Sequence, residues 1–114
     1  MPVIHTHVSV STTPAQRDAL KAAYGKAISA VPGKSEHWLM CPFEDNMPIY
    51  FAGDNTKPAA YVEVNVFGSS VPGSAWEKLT EQIMAALERE LGIPQDRTYI
   101  RYTCLLYTSP SPRD

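Results

Sequence analysis

Pro2-Val3-Ile4-His5-Thr6-His7-Val8-Ser9-Val10 is the stretch on which the reading of the chain turns. β-Branched residues dominate it. Ile4, Val8 and Val10 fall on one side of the alternation, so it reads as a strand with one buried face. Met1 precedes a small residue, and its removal is expected to leave Pro2 with a free secondary amine at the mature N-terminus. A strand that starts there holds the amine in the sheet, and the pyrrolidine ring stiffens it further. Such an amine can act as a general base where its surroundings keep it neutral near pH 7. A Met-Pro start alone says no more than that methionine is removed, so the weight falls on the remainder of the chain.

A capped helix comes next. Thr13-Pro14-Ala15-Gln16 supplies an N-cap, a proline at the first helical position and Gln three residues after the cap. Leu20, Tyr24, Ala27, Ile28 and Val31 then share one helical face, and Pro32-Gly33 stops the run. His37–Cys41 reads as a second strand, Glu44–Pro48 as a turn, Ile49-Tyr50-Phe51 as a short returning strand and Gly53–Pro58 as a loop. The pattern then repeats. Ala60–Phe67 alternates as a strand, Gly68–Gly73 is a turn, and Ser74-Ala75-Trp76-Glu77 resembles a second capping box. Leu79, Ile83, Leu87 and Leu91 form a helical stripe ended by Gly92, and Thr98–Tyr102 reads as a last strand. The order strand–helix–strand, twice over, predicts an α/β domain: two βαβ units in one four-stranded sheet, with both helices on one face. The other face, expected to carry Val, Ile and Tyr, is left for a second subunit to bury.

Length and composition bound the function. At 114 residues the chain makes one domain; 44% hydrophobic and 19% charged residues are ordinary for a globular protein. With a net charge of −2 and no run of Lys or Arg, neither nucleic acid nor an anionic membrane is an expected partner. No signal-peptide pattern stands at the N-terminus. Two cysteines, Cys41 and Cys104, make no disulfide framework, so a cytoplasmic location is expected, unconventional export aside.

Four pieces in this order and spacing resemble the macrophage migration inhibitory factor family of the tautomerase superfamily, in particular its bacterial members. They are the N-terminal proline on a strand, Pro32-Gly33-Lys34, Val64-Asn65-Val66-Phe67-Gly68 and Asp96-Arg97-Thr98-Tyr99-Ile100. The likeness runs from Pro2 to about Thr103. It implies a homotrimer with active sites between subunits, and keto–enol interconversion of 2-oxo acids such as phenylpyruvate without cofactor or metal. It implies Pro2 as the catalytic base, Lys34 as the receiver of the substrate's carboxylate or keto oxygen, Phe67 as a backbone contact, Tyr99 as an aromatic from the adjacent subunit and Trp38 as a pocket aromatic. Arg101 stands where the animal protein has asparagine, and a second cation there suits an anionic keto acid. Lys34 and Arg101 near Pro2 would disfavour protonation of its amine and hold the developing enolate. The same likeness admits a second reading, a trimeric cytokine-like binding or signalling protein with vestigial activity.

Taken singly, these residues mean less. Lys34 after a helix stop reads as a dipole partner, Trp38 and Tyr99 as core or interface aromatics, and Arg101 as a surface strand residue. His5 and His7 stand two apart on one strand face, as metal ligands can, but no third ligand is evident and no metal is expected. Cys41 reads as a buried strand residue, and Glu63, Glu77 and Glu81 as solvated positions. Cys104–Asp114 departs from the family, whose bacterial members continue with an acidic and then Trp/Gly/Asn-rich tail. It matches the conceptual translation of a transposase adapter used to build sequencing libraries, so residues 1–103 are taken as the natural domain and 104–114 as foreign to it.

Overall fold

The computed structural model describes residues 2–67 and 71–105. Met1, the first half of the expected Gly68–Gly73 turn and the terminal segment from residue 106 lie outside the described residues. Four strands and two helices succeed one another: β1 Val3–Val8, α1 Pro14–Ala27, β2 Phe43–Glu44, β3 Ala60–Phe67, α2 Gly73–Leu91 and β4 Thr98–Leu105. Cys104 and Leu105 thus continue the last strand two residues past Thr103, opposite Val66 and Phe67.

The sheet order is β2-β1-β3-β4. β1 runs parallel to β2, β3 runs parallel to β4, and the two halves meet antiparallel along β1 and β3. Each half is one βαβ unit, as expected. The expected capping box forms: Gln16 N–H donates to Thr13 Oγ1 at 3.1 Å, and Thr13 N–H donates to Gln16 Oε1 at 2.9 Å. The second expected box does not form. α2 starts at Gly73 with Pro72 as its N-cap and no side-chain cap, because Pro72 already presets the entry angle (φ −62°) two residues before Ser74 could act. Gly92 ends α2 with φ 69°, a left-handed value that glycine adopts without strain.

The stretch between α1 and β3 differs from expectation. His37–Cys41 is not a strand. Glu36–Trp38 forms a 3-10 turn, and Met40 makes a lone parallel bridge to Val3. Ile49–Phe51 is likewise no strand, for Phe51 and Asp54 only close a tight turn on each other, N–H to carbonyl at 3.0 Å both ways. Glu44, expected in a turn, belongs to β2 opposite His7. Apolar composition made these segments look like strands, but only two residues find ladder partners at the edge beside β1. Arg97 secures the adjoining loop, donating to the carbonyls of Asp54, Lys57 and Pro58 at 3.0–3.1 Å.

The core lies between the helices and one sheet face. Ile4, Val8, Val62, Val64 and Val66 supply the sheet side, and Leu20, Tyr24, Ile28, Leu79, Ile83 and Leu87 the helical side. Each is buried. Apart from Val3, the Val and Ile of these strands are therefore on the covered face. The open face instead presents His5, His7, Tyr61, Glu63, Tyr99 and Arg101, the alternate residues of β1, β3 and β4. Within the core, Thr6 Oγ1 and Tyr24 Oη share a hydrogen bond of 2.8 Å, both residues fully buried. Burial pushes the Tyr24 phenol above its ordinary value, and the bond to Thr6 offsets part of that.

Tyr24→Phe leaves the Thr6 hydroxyl without its partner and should cost about 1–3 kcal/mol in chemical denaturation, and Thr6→Val in addition should restore part of it. The raised phenol in the folded state means that its contribution is intact below the unfolded value of about 10 and is lost as pH rises above it. Tyr24→Phe should therefore flatten the alkaline limb of the stability profile, and an unchanged limb would show that this phenol is not its source.

Candidate functional site

Pro2 is buried and tied by its backbone to Met40. Its carbonyl accepts from Met40 N–H at 3.1 Å, and the next rung of the ladder is Ile4 N–H to Met40 carbonyl at 2.9 Å. On the other side β1 pairs with β3, Val3 opposite Asn65; continuing that register by one residue puts Pro2 beside Val66. The proline ring therefore sits at one end of the sheet, between the chain leaving Trp38 and the C-terminal end of β3.

Lys34 arrives at the same end. α1 gives way to a 3-10 turn at Ile28–Ala30, and Gly33 reverses the chain with φ 80°. Lys34 N–H donates to the Val31 carbonyl, and its ammonium donates to the Phe67 carbonyl at 2.8 Å. An ammonium has three donors, so two remain for another acceptor. Phe67 is the last residue of β3 and more than a third exposed, while Trp38 and Met40 are more than half exposed. Pro2, Lys34, Phe67 and Trp38 thus gather at one end of the sheet.

Tyr99 and Arg101 do not join them within the chain. β4 registers Tyr99 with Tyr61 and Arg101 with Glu63. By strand rise and spacing, that leaves Arg101 roughly 14 Å and Tyr99 roughly 19 Å from Pro2. The expectation that both cations flank Pro2 fails for a single chain. Tyr99, 64% exposed and stacked at 6.0 Å on Tyr61, faces outward on the open side, and Arg101 is exposed beside it.

Cys41 is not in a strand either. It is half-buried against the core, and burial, with a smaller push from Glu36, raises its thiol to about 11. Such a thiol holds its proton at neutral pH and makes a poor nucleophile. A groove of about 570 Å³ runs between α1 and α2, lined by Ala22, Lys26, Gln82 and Arg89 among others. Its walls come from the two helices alone, away from Pro2, and offer no base.

Two features escaped the sequence. One is the Met40 backbone that clamps Pro2, which no side-chain pattern announces. The other is a second cluster on the open face. The pairing of β1 with β2 brings Glu44 Oε2 to 2.7 Å from His5 Nε2 and 3.4 Å from His7 Nδ1. A third potential ligand therefore stands beside the two histidines. Glu63 is not simply solvated: it accepts from His7 at 3.2 Å and from Tyr61 Oη at 3.3 Å. The His7 bond, ahead of the Tyr61 one, holds its carboxyl below the usual range.

A four-stranded mixed sheet of two antiparallel-related βαβ units, with a buried proline just before its first strand, is an α/β fold of the macrophage migration inhibitory factor type. A family model described as macrophage migration inhibitory factor matches residues 1–109. The chain belongs to the macrophage migration inhibitory factor family. Among solved structures it is similar to MIF2 of Leishmania major, 40% identical with a TM-score of 0.84, covering 91% of this chain and 88% of that one. A homologue from Toxoplasma gondii is 30% identical at TM-score 0.79, covering 96% and 92%. One from Prochlorococcus marinus is 29% identical at 0.77, covering 88% and 85%. Pt0534, whose structure was determined after inactivation by 2-oxo-3-pentynoate, shares the fold at 12% identity and TM-score 0.77, covering 90% of this chain and 84% of that one. Comparison with curated proteins finds no match. Membership supports a tautomerase-type or MIF-like function. Among the described residues no helix is long and apolar enough to cross a membrane.

Proposed function

We propose that this protein is a cofactor-free keto–enol tautomerase of phenylpyruvate-like 2-oxo acids, with Pro2 as its general base. The observation that carries the reading is the meeting of Pro2 and the Lys34 ammonium at one end of the sheet, each held by a backbone hydrogen bond. Enolisation needs a base for the proton alpha to the carbonyl and a cation for the oxyanion that develops. Once Met1 is gone, the buried Pro2 amine disfavours its own charged form, and the nearby ammonium adds to that. The two donors that Lys34 has left then face the 2-oxo acid. Phe67 and Trp38 supply apolar wall for a phenyl ring.

The site is unfinished in one chain, and this favours a homotrimer. Tyr99 and Arg101 lie on the exposed face, out of reach of their own Pro2, and Trp38, Met40 and Phe67 expose apolar surface at the Pro2 end. A neighbouring subunit that lays its Tyr99 and Arg101 against that end completes the pocket and covers this surface.

In an enol–keto assay on phenylpyruvate, Pro2→Gly should keep the fold and lose about 10²- to 10⁴-fold in rate. Full activity in that variant, or in protein retaining Met1, would sink the base assignment. Lys34→Ala should chiefly raise KM, about tenfold or more, since a hydrogen bond to a charged group is worth about 1.5–3 kcal/mol. The shared site has its own test. Chains carrying Pro2→Gly and chains carrying Arg101→Ala, each impaired alone, should regain activity when unfolded together and refolded, because mixed trimers then hold some intact sites. Absence of recovery, with light scattering reporting a monomer, argues against a site between subunits.

A further inference from the structure

We propose that His5, His7 and Glu44 form a zinc-binding site on the open face of the sheet, separate from the Pro2 pocket. His5 and His7 stand three and five residues along from Pro2, roughly 10 and 16 Å at strand rise. Three observations lead to it.

The first is geometry. Two nitrogens and one carboxylate oxygen, each from a different side chain, lie within 4.8 Å of one another. Bonds of about 2.0–2.1 Å in a tetrahedral zinc site put neighbouring donors roughly 3.3 Å apart. His7 Nδ1 and Glu44 Oε2 are already 3.4 Å apart, and His5 Nε2 and Glu44 Oε2, at 2.7 Å, need only open slightly. Two imidazoles and one carboxylate with a fourth position open is a known zinc donor set.

The second is an unpartnered buried atom. His7 is only 8% exposed, and its Nδ1 has no hydrogen-bond partner among the described residues. Its other nitrogen, Nε2, lies 3.2 Å from Glu63 Oε1. An ionised carboxylate only accepts, so Nε2 is the donor to Glu63, and in the neutral tautomer this leaves the lone pair on Nδ1. That lone pair faces Glu44 Oε2, another acceptor. Two electron-rich atoms 3.4 Å apart, Nδ1 buried and the Glu44 carboxylate half exposed, favour a positive charge between them.

The third is the outer shell. Glu63 stands behind His7, 3.2 Å from its Nε2, while His5 Nδ1, at 3.9 Å, is beyond hydrogen-bond reach. A carboxylate behind the far nitrogen of a ligating histidine fixes its tautomer and raises its basicity. Glu44 and Glu63 also balance the two positive charges of the ion. Bound there, zinc would tie β1 to β2 on the face the helices leave open.

The test uses untagged full-length protein, freed of metal and titrated with zinc chloride by calorimetry. One zinc per chain is expected, with a rise in Tm on zinc addition. His5→Asn, His7→Asn and Glu44→Gln should each weaken binding tenfold or more, and Glu63→Gln by about 10- to 100-fold through the outer shell. Cys41→Ser should leave it unchanged. Cobalt in place of zinc should give the intense visible absorption of a four-coordinate site, lost in the same variants. Should His7→Asn fail to fold, the exposed Glu44→Gln decides alone. Absence of saturable zinc binding, or binding untouched by Glu44→Gln, overturns the proposal.

Discussion

The first strand is the constraint on which the rest depends. β1 joins the two halves of the sheet: parallel to β2 on one side, antiparallel to β3 on the other. Its register with β3, Ile4 on Val64 and Thr6 on Val62, sends Ile4 and Val8 into the core and His5 and His7 to the open face. A slip by one residue would exchange the two faces and bury both imidazoles under the helices. The Thr6–Tyr24 bond guards against this from below, because only the observed register lets the one polar side chain on the covered face of β1 meet the phenol of α1.

The same strand sets the chemistry at its two ends. Its start is tied to Met40 through the backbone, which fixes the position of the buried proline. Backbone hydrogen bonds suit that task, since they impose position without placing a charge beside the ring. Three residues farther on the alternation begins to place titratable groups outward, where Glu44 and Glu63 from the flanking strands meet them. One strand thus carries a proline site and a histidine cluster whose roles do not interfere.

Local signals carried most of the architecture. Thr13 and Gln16 cap α1 as their spacing requires, the 3.6-residue stripes lie on the buried faces, and Gly92 ends α2 in the left-handed conformation. Failures came where long-range pairing decides. His37–Cys41 has the composition of a strand, but only Met40 finds a bridge partner, so propensity yields to the 3-10 turn at Trp38. Nothing near Glu44 in sequence shows that it will sit opposite His7, thirty-seven residues earlier. The site was half legible for the same reason. Pro2, Lys34, Phe67 and Trp38 fall together by strand order, whereas the β3–β4 register that carries Tyr99 and Arg101 away from Pro2 comes from pairing alone.

The two borders of the sheet are unlike. β2 is two residues long, lies just after Pro42 and shortly before Pro48, and so offers scarcely any free backbone. β4 runs eight residues, and its outer side has no strand beside it among the described residues. A ladder that can be continued at one border and not at the other has a direction. Copies joined through it meet head to tail, with unlike surfaces in contact, and such a series either closes on itself as a ring or runs on as a filament. For this fold, closure is what separates a finite assembly from an open-ended one.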